Sequence, residues 1–301
     1  MTPVCVELGG KDPAIVLDDL SNSDFNRVAS ILMRGVFQSA GQNCIGIERV
    51  IALPNVYTRL VEYLTPKIRG LRPGSVLNSS ADSIIDVGAS ISDASFDKLE
   101  HLINDALQNG ARLLAGGKRF IHPDHPKGHY FTPTFLVDVT PSMAIAQTEL
   151  FAPVFLLMRA ESVDAAISIA NSTSYALGSS VYGTNTRDLE HVARKLDAGM
   201  VAVNDFAVFY MVQLPFGGKK GSGYGRFAGK EGLRGLCNQK SITRDRWSSM
   251  GVKTSIPEPM DVPLSGDRAM EKAWGFAQGI VWLGYGRWRD LGRGLRGVMG
   301  R

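Results

Sequence analysis

The sequence predicts an α/β fold, a mostly parallel open sheet with helices on both faces, on three observations. Short apolar runs at residues 4–8, 48–53, 131–139, 178–182 and 200–203 alternate with stretches whose apolar residues recur at helical spacing. Strands separated by helices need crossover connections, which set neighbouring strands parallel and cover both sheet faces. The 301 residues, 44% hydrophobic and 21% charged, are ordinary globular composition and enough for one large domain or two modest ones.

Taken in order, residues 4–8 read as a buried strand, with Cys5 alternating between valines as a core residue. Ser21-Asn22-Ser23-Asp24 is a run of helix-capping residues, and Phe25, Val28, Ala29, Leu32, Val36 and Phe37 follow at helical spacing. Residues 48–53 form a second strand ended by Pro54-Asn55, and Val56, Leu60, Leu64 and Ile68 mark an amphipathic helix. Residues 70–88, rich in Ser, Asp and Gly, cross the surface before a helix over 92–109 that Gly110 stops. Leu113-Leu114-Ala115 is a short strand and 131–139 an extended run. Helices over 161–170 and 186–196 then alternate with strands over 178–182 and 200–203. Asn204 opens a loop whose aromatics, Phe206, Phe209, Tyr210 and Phe216, either line an entrance for an apolar substrate or pack as core. The glycine run 217–225 lacks the GxxxxGK[ST] order of a phosphate loop and reads as structural turns.

Charge and cysteine usage exclude several classes. The net charge of +4 resides in the tail, where residues 240–301 hold eleven Lys/Arg against six Asp/Glu. No basic stripe with interleaved aromatics precedes it, so nucleic-acid binding is not supported. Three irregularly spaced cysteines argue against a disulfide scaffold and for a reducing compartment, the cytoplasm. Met1-Thr2-Pro3 leads into a strand without the charged and apolar regions of a secretory signal. In the loop 122–129, His122, His125 and His129 with Asp124 invite a metal reading. Two prolines and a glycine make it a turn-rich surface loop instead, and no metal is expected.

The chemistry centres on Phe37-Gln38-Ser39-Ala40-Gly41-Gln42-Asn43-Cys44-Ile45-Gly46, which sets Cys44 just past a helix in a glycine-flanked turn. A nucleophilic thiol needs a depressed pKa, access, and donors for the oxyanion its attack creates. Glu7 ends the apolar Val4-Cys5-Val6 and is followed by Leu8-Gly9-Gly10-Lys11, so it is expected at a strand's carboxyl end, where open α/β sheets gather ligand sites. There it could serve Cys44 as general base, a role that partial burial and a raised pKa suit.

These two stretches, with Thr148-Glu149-Leu150-Phe151-Ala152-Pro153-Val154 and the run from Pro215 to Arg226, resemble the ordered signatures of the aldehyde dehydrogenase superfamily over roughly residues 3–246. The 204–226 stretch points to a fungal-type branch. The resemblance implies Cys44 as nucleophile and Glu7 as base, acting on an aldehyde with NAD or NADP through a thiohemiacetal and a thioester. It implies Glu149 at the nicotinamide ribose and Phe151 beside the nicotinamide ring, roles apt for a two-acceptor carboxylate and a flat apolar face. Thr148 and Ala152 depart from the family's common Glu and Gly, and Phe227 stands where many members carry a glutamate. In the family a nucleotide-binding domain precedes the first signature, so the chain reads as the C-terminal half, lacking most of the cofactor-binding domain. The resembled oligomerisation strand, 238–246, predicts a homo-oligomer. The domains expected are catalytic (1–237), oligomerisation strand (238–250) and a linker with a basic aromatic tail (251–301).

In that tail the apolar run 273–286 has 14 residues, short of the roughly 20 that span a bilayer, and precedes Arg287, Arg289, Arg293 and Arg296. Peripheral membrane contact through 267–301 and docking on a partner subunit are its two readings. Two rival functions remain at this point, a cofactor-independent thiol esterase and a non-catalytic oligomerising fragment.

Overall fold

A computed structural model describes residues 2–75, 77, 84–246, 248–251, 253 and 255–287 and shows what the alternation builds. The chain divides into two units, Met1–Gln239 and Lys240–Arg301. In the first, the elements run β1 (Val6–Glu7), β2 (Pro13–Val16), α1 (Asn22–Phe37), β3 (Arg49–Ala52), α2 (Pro54–Arg69), α3 (Phe96–Gln108), β4 (Arg112–Ala115), β5 (Arg119–Phe120) and β6 (Tyr130–Phe131). They continue with β7 (Thr134–Val137), α4 (Ala144–Gln147), β8 (Val154–Arg159), α5 (Val163–Ala170), β9 (Ser180–Tyr182), α6 (Thr186–Lys195), β10 (Ala202–Val203), β11 (Gly223–Tyr224) and α7 (Gly229–Gly235).

Seven strands form one sheet in the order β10-β9-β2-β3-β8-β7-β4, parallel throughout except for the antiparallel edge pair β4–β7. Because successive side chains of a strand point to opposite faces, each central strand feeds two cores. Ala14, Val16, Val50, Ala52, Phe155 and Leu157 pack under the apolar stripes of α1 and α2. Ile15, Ile51, Leu156, Met158 and Val181 face the other way, toward Phe96, Leu99 and Ile103 of α3, Ile167 of α5 and Val192 of α6. The expected α/β architecture with helices on both faces is therefore present. Ser21 caps α1 as its sequence predicts, its hydroxyl accepting the Asp24 amide at 3.1 Å.

Several expectations need correction. The run 4–8 is not a buried sheet strand: only Val6–Glu7 pairs, half-buried, in a separate ribbon with β11. Cys5 is exposed rather than core. The cause is Gly9-Gly10, which breaks the run, so that the strand reaching the sheet begins at Pro13. Strands β2 and β8, fully buried or nearly so, are short continuous apolar runs without alternation and escaped a reading built on period. The extended run 131–139 is two strands, interrupted at Thr132-Pro133 because proline cannot donate to a ladder. Residues 238–246 form no strand within this chain, and all of them are exposed.

In the second unit a turn at Glu258–Met260 precedes α8 (Ala269–Gly284), whose first turn is braced by Arg268 and Glu271 at 2.6 Å. Met270, Trp274, Ile280, Val281 and Leu283 are exposed along it. Among the described residues no helix is long and apolar enough to cross a membrane, and Arg289, Arg293 and Arg296 lie outside them.

Phe155 is completely buried and packs edge-on against Phe135 at 5.2 Å and tilted against Phe37 at 6.4 Å. Phe155→Ala should lower the unfolding free energy by about 3–5 kcal/mol, read as a fall in urea midpoint at unchanged slope.

Candidate active site

Strands β3, β2 and β8 are parallel, with β3 between the other two, so the segments leading into them lie side by side. Glu7 to Asp12 lead into β2, Cys44 to Glu48 into β3, and Glu149 to Pro153 into β8. The site is thus assembled at the amino ends of the sheet strands. The carboxyl-end position expected for Glu7 does not hold, because the strand that Glu7 ends is the β1 ribbon and not part of the sheet.

Beneath the site sits a buried ion pair. Lys11 Nζ meets Glu48 Oε2 at 2.6 Å, both side chains inaccessible or nearly so. Glu48 also accepts the backbone amides of Leu150 and Phe151, each at 3.0 Å through Oε1. One carboxylate therefore ties all three segments together. Burial pushes the Lys11 ammonium down, with Glu48 opposing the shift. Arg49, also buried, donates to the carbonyls of Lys11, Ile169 and Ala170, and burial pushes its guanidinium down to about 10.

Over this base three of the four predicted residues, Glu7, Cys44 and Glu149, converge on Gly9-Gly10. Glu149 Oε1 accepts the Gly10 amide at 3.1 Å, and its carboxylate lies against Gly9, where a β-carbon would collide with it. A β-carbon on Gly10 would press to 2.8 Å from the Cys44 carbonyl oxygen. Gly9 also has φ of +80°, which a side chain would strain. Both glycines are required for a thiol loop and a carboxylate to approach one backbone so closely. Glu7 is half-buried, its Oε1 accepting the Gly9 amide at 2.8 Å. Phe151 keeps its ring 43% exposed on a backbone with φ of +51°.

Cys44 is half-buried in a turn closed by Gly46 N–H to the Asn43 carbonyl at 2.8 Å. The turn's own amides favour the thiolate but are outweighed, and the Ile45 N–H donates to Asn43 Oδ1 at 3.3 Å. Burial pushes the thiol up, and negative charge on Glu7, or on Asp12 whenever it is ionised, pushes it further. The depressed pKa expected of a nucleophile is not generated by this chain alone. Burial likewise raises the Glu149 carboxyl, with Glu48 and Glu7 adding to the shift and the Gly10 amide opposing it.

Next to Asn43, the residue before Cys44, a cavity of about 290 Å³ is walled by Arg34, Gln38, Asn43, Phe206, Val208 and Tyr210, among others. The loop aromatics divide: Phe206 and Tyr210 line this cavity, whereas Phe216 is buried and stacks on Tyr210 at 5.8 Å. Tyr210 donates to Asn43 Oδ1 at 3.0 Å, bracing the residue before Cys44. The His122 ring is occupied within its own loop, its Nδ1 accepting the amides of Asp124 and His125, and among the described residues no metal-binding cluster forms. Sequence reasoning passed over Lys11, Asp12, Glu48 and Arg49. The signal was there in charged pairs set directly before the apolar runs 13–16 and 50–53.

The profile of the aldehyde dehydrogenase family matches residues 1–242. The chain belongs to this family. It is 50% identical over 291 residues to an aldehyde dehydrogenase-like protein of Schizosaccharomyces pombe, covering 97% of this chain and 53% of that one. A similar protein of Saccharomyces cerevisiae is 51% identical over 283 residues, covering 93% and 42%. These two place the chain in the expected fungal branch, and the chain spans about half the length of the curated relatives it matches. Succinate-semialdehyde dehydrogenase [NADP(+)] of Mycobacterium leprae is 36% identical over 240 residues, covering 80% and 50%. Among solved structures, betaine aldehyde dehydrogenase of Staphylococcus aureus, in complex with NAD+ and with a BME-modified cysteine, superposes with a TM-score of 0.70 at 34% identity, covering 76% of this chain and 45% of that one.

Because the Glu7 charge opposes the thiolate, Glu7→Gln should speed alkylation of Cys44 by iodoacetamide at pH 8 by about two- to tenfold, a thiol pKa lower by up to about one unit. Peptide mapping separates Cys44 from the exposed Cys5 and Cys237.

Proposed function

We propose that this chain is the catalytic portion of an NAD(P)-dependent aldehyde dehydrogenase that oxidises an aldehyde to a carboxylic acid. The observation that carries the reading is the convergence of Glu7, Cys44 and Glu149 on Gly9-Gly10. A thiol, a base and a second carboxylate meet at one backbone, beside a cavity large enough for a small aldehyde.

The residues present fit a nicotinamide nucleotide. Glu149 commits Oε1 to Gly10, while Oε2 makes no hydrogen bond among the described residues, which leaves an acceptor for a ribose hydroxyl. The exposed Phe151 ring offers a flat wall for a heteroaromatic ring. When bound, NAD(P)+ would supply the hydride acceptor and a positive charge near a thiol that carboxylates otherwise keep protonated.

Cys44 Sγ, as the thiolate, adds to the aldehyde carbonyl carbon, and the oxyanion that forms is held in part by the Cys44 backbone amide. After oxidation to the thioester, Glu7 takes a proton from water, the hydroxide adds to the thioester carbonyl, and the acid departs as Cys44 regains its thiolate. Three unpaired cysteines suit a reducing compartment such as the cytoplasm. The segment 238–246, exposed and without a ladder here, is the proposed pairing strand of a homo-oligomer.

The tail suggests a peripheral contact. Helix α8 exposes Trp274, Ile280 and Val281 with nothing polar between them but Gln278, and five arginines and one aspartate follow it in sequence. This pattern suits the boundary of an anionic bilayer.

Cys44→Ala should abolish NAD(P)-dependent aldehyde oxidation by the protein containing this chain; retained turnover removes Cys44 as nucleophile. Co-sedimentation should show the protein pelleting with phosphatidylserine vesicles and not with neutral ones, and vesicle-independent behaviour removes the membrane contact.

A further inference from the structure

Behind the Cys44 turn lies a charged side chain that the proposed reaction does not use. Asp12 is 4% exposed, and neither carboxyl oxygen has a hydrogen-bond partner among the described residues. The other buried charges nearby are satisfied: Lys11 pairs with Glu48, and Arg49 directs Nε, Nη1 and Nη2 to backbone carbonyls. An isolated carboxylate out of water is costly, and such a group ordinarily keeps its proton instead.

The groups facing Asp12 reinforce this. Burial is the largest influence and holds its carboxyl well above the usual carboxylate range; the Gly178 amide and Arg49 pull the other way, and Glu48 and Glu149 add to the rise. Lys11, its sequence neighbour, is held by Glu48, while Tyr175 and Asp197 stand across an adjoining cavity. Arg49, Cys44 and Tyr210 are titratable groups that feel its charge.

Two cavities of about 10 Å³ each border Asp12, a volume that holds a single water. One reaches toward Asn171 and Asp197, and the other is closed by Ile45, Ile47 and Phe206. On its third side Asp12 Oδ1 and the Cys44 carbonyl oxygen both lie where a β-carbon on Gly10 would collide with them.

We propose that Asp12 is a positioning residue for Cys44: a neutral carboxyl, hydrogen-bonded to single waters in the two cavities, that keeps negative charge away from the back of the thiol at neutral pH. This rests on the reading of Cys44 as nucleophile. The sign follows from electrostatics. A protonated Asp12 leaves Glu7 as the chief opponent of the thiolate, whereas an ionised Asp12 adds a second negative charge and holds the thiol protonated.

The test is the pH profile of Cys44 alkylation by iodoacetamide in the full protein, read by peptide mapping, with carbon NMR of protein labelled at its aspartate carboxyls. At pH 7 one aspartate resonance should sit at the protonated position and vanish in Asp12→Asn, while the alkylation rate changes by less than about twofold. On the alkaline limb, where Asp12 has ionised, the variant should alkylate roughly three- to tenfold faster than wild type, a half- to one-unit change in thiol pKa. A missing protonated resonance, or a tenfold faster variant already at pH 7, overturns the neutral carboxyl. Superimposable profiles at every pH overturn the coupling to Cys44 and leave Asp12 purely structural. Should Asp12→Asn not fold, the wild-type protein still decides: its aspartate resonance must titrate at an inflection of its own alkylation profile, and absence of that coincidence overturns the proposal. The readout is thiol chemistry, so its failure with aldehyde oxidation intact leaves the dehydrogenase reading standing.

Discussion

A single buried ion pair holds the site together. Glu48 bonds Lys11 at 2.6 Å and the amides of Leu150 and Phe151, so one carboxylate joins the segments leading into three parallel strands. Buried pairs add little net stability over an apolar substitute, but losing one partner typically costs about 3–5 kcal/mol because the other charge is stranded. The value of this pair is geometric. It fixes the height of the Glu149 turn over the Gly9-Gly10 backbone, and through that backbone the position of Cys44.

The electrostatics around the thiol follow from the same arrangement. Glu7, Glu48 and Glu149 crowd the site beside the buried carboxyl of Asp12, and the fixed cations among them, Lys11 and Arg49, are committed to partners inside the protein. A cysteine here is sterically presented and electrically restrained.

Much of the fold was legible because helices announce themselves. The caps at Ser21, the apolar stripes of α1 and α2 and the stop at Gly110 are local signals, and they recur where the sequence places them. Strands buried on both faces carry no period, so Pro13–Val16 and Val154–Arg159, two of the sheet's inner strands, went unread beside the misleading run at Val4. The motif residues Glu7, Cys44, Glu149 and Phe151 were legible through the family resemblance of their stretches, and Glu7, Cys44 and Glu149 do meet at Gly9-Gly10. Their supports were not, since a lysine and a glutamate 37 positions apart show no sign in one dimension of meeting in the core. The carboxyl-end rule also misled, because it was applied to a strand that the sheet does not contain.

Phe151 shows what this construction achieves. Its left-handed backbone, disfavoured for a bulky residue, is held by Glu48 from below, and the residue is 43% exposed to solvent. The pose is fixed in advance of any guest. A planar molecule settling on that ring forfeits only its own freedom and demands none from the protein, so the core charge that shapes the turn also serves as preorganisation for recognition.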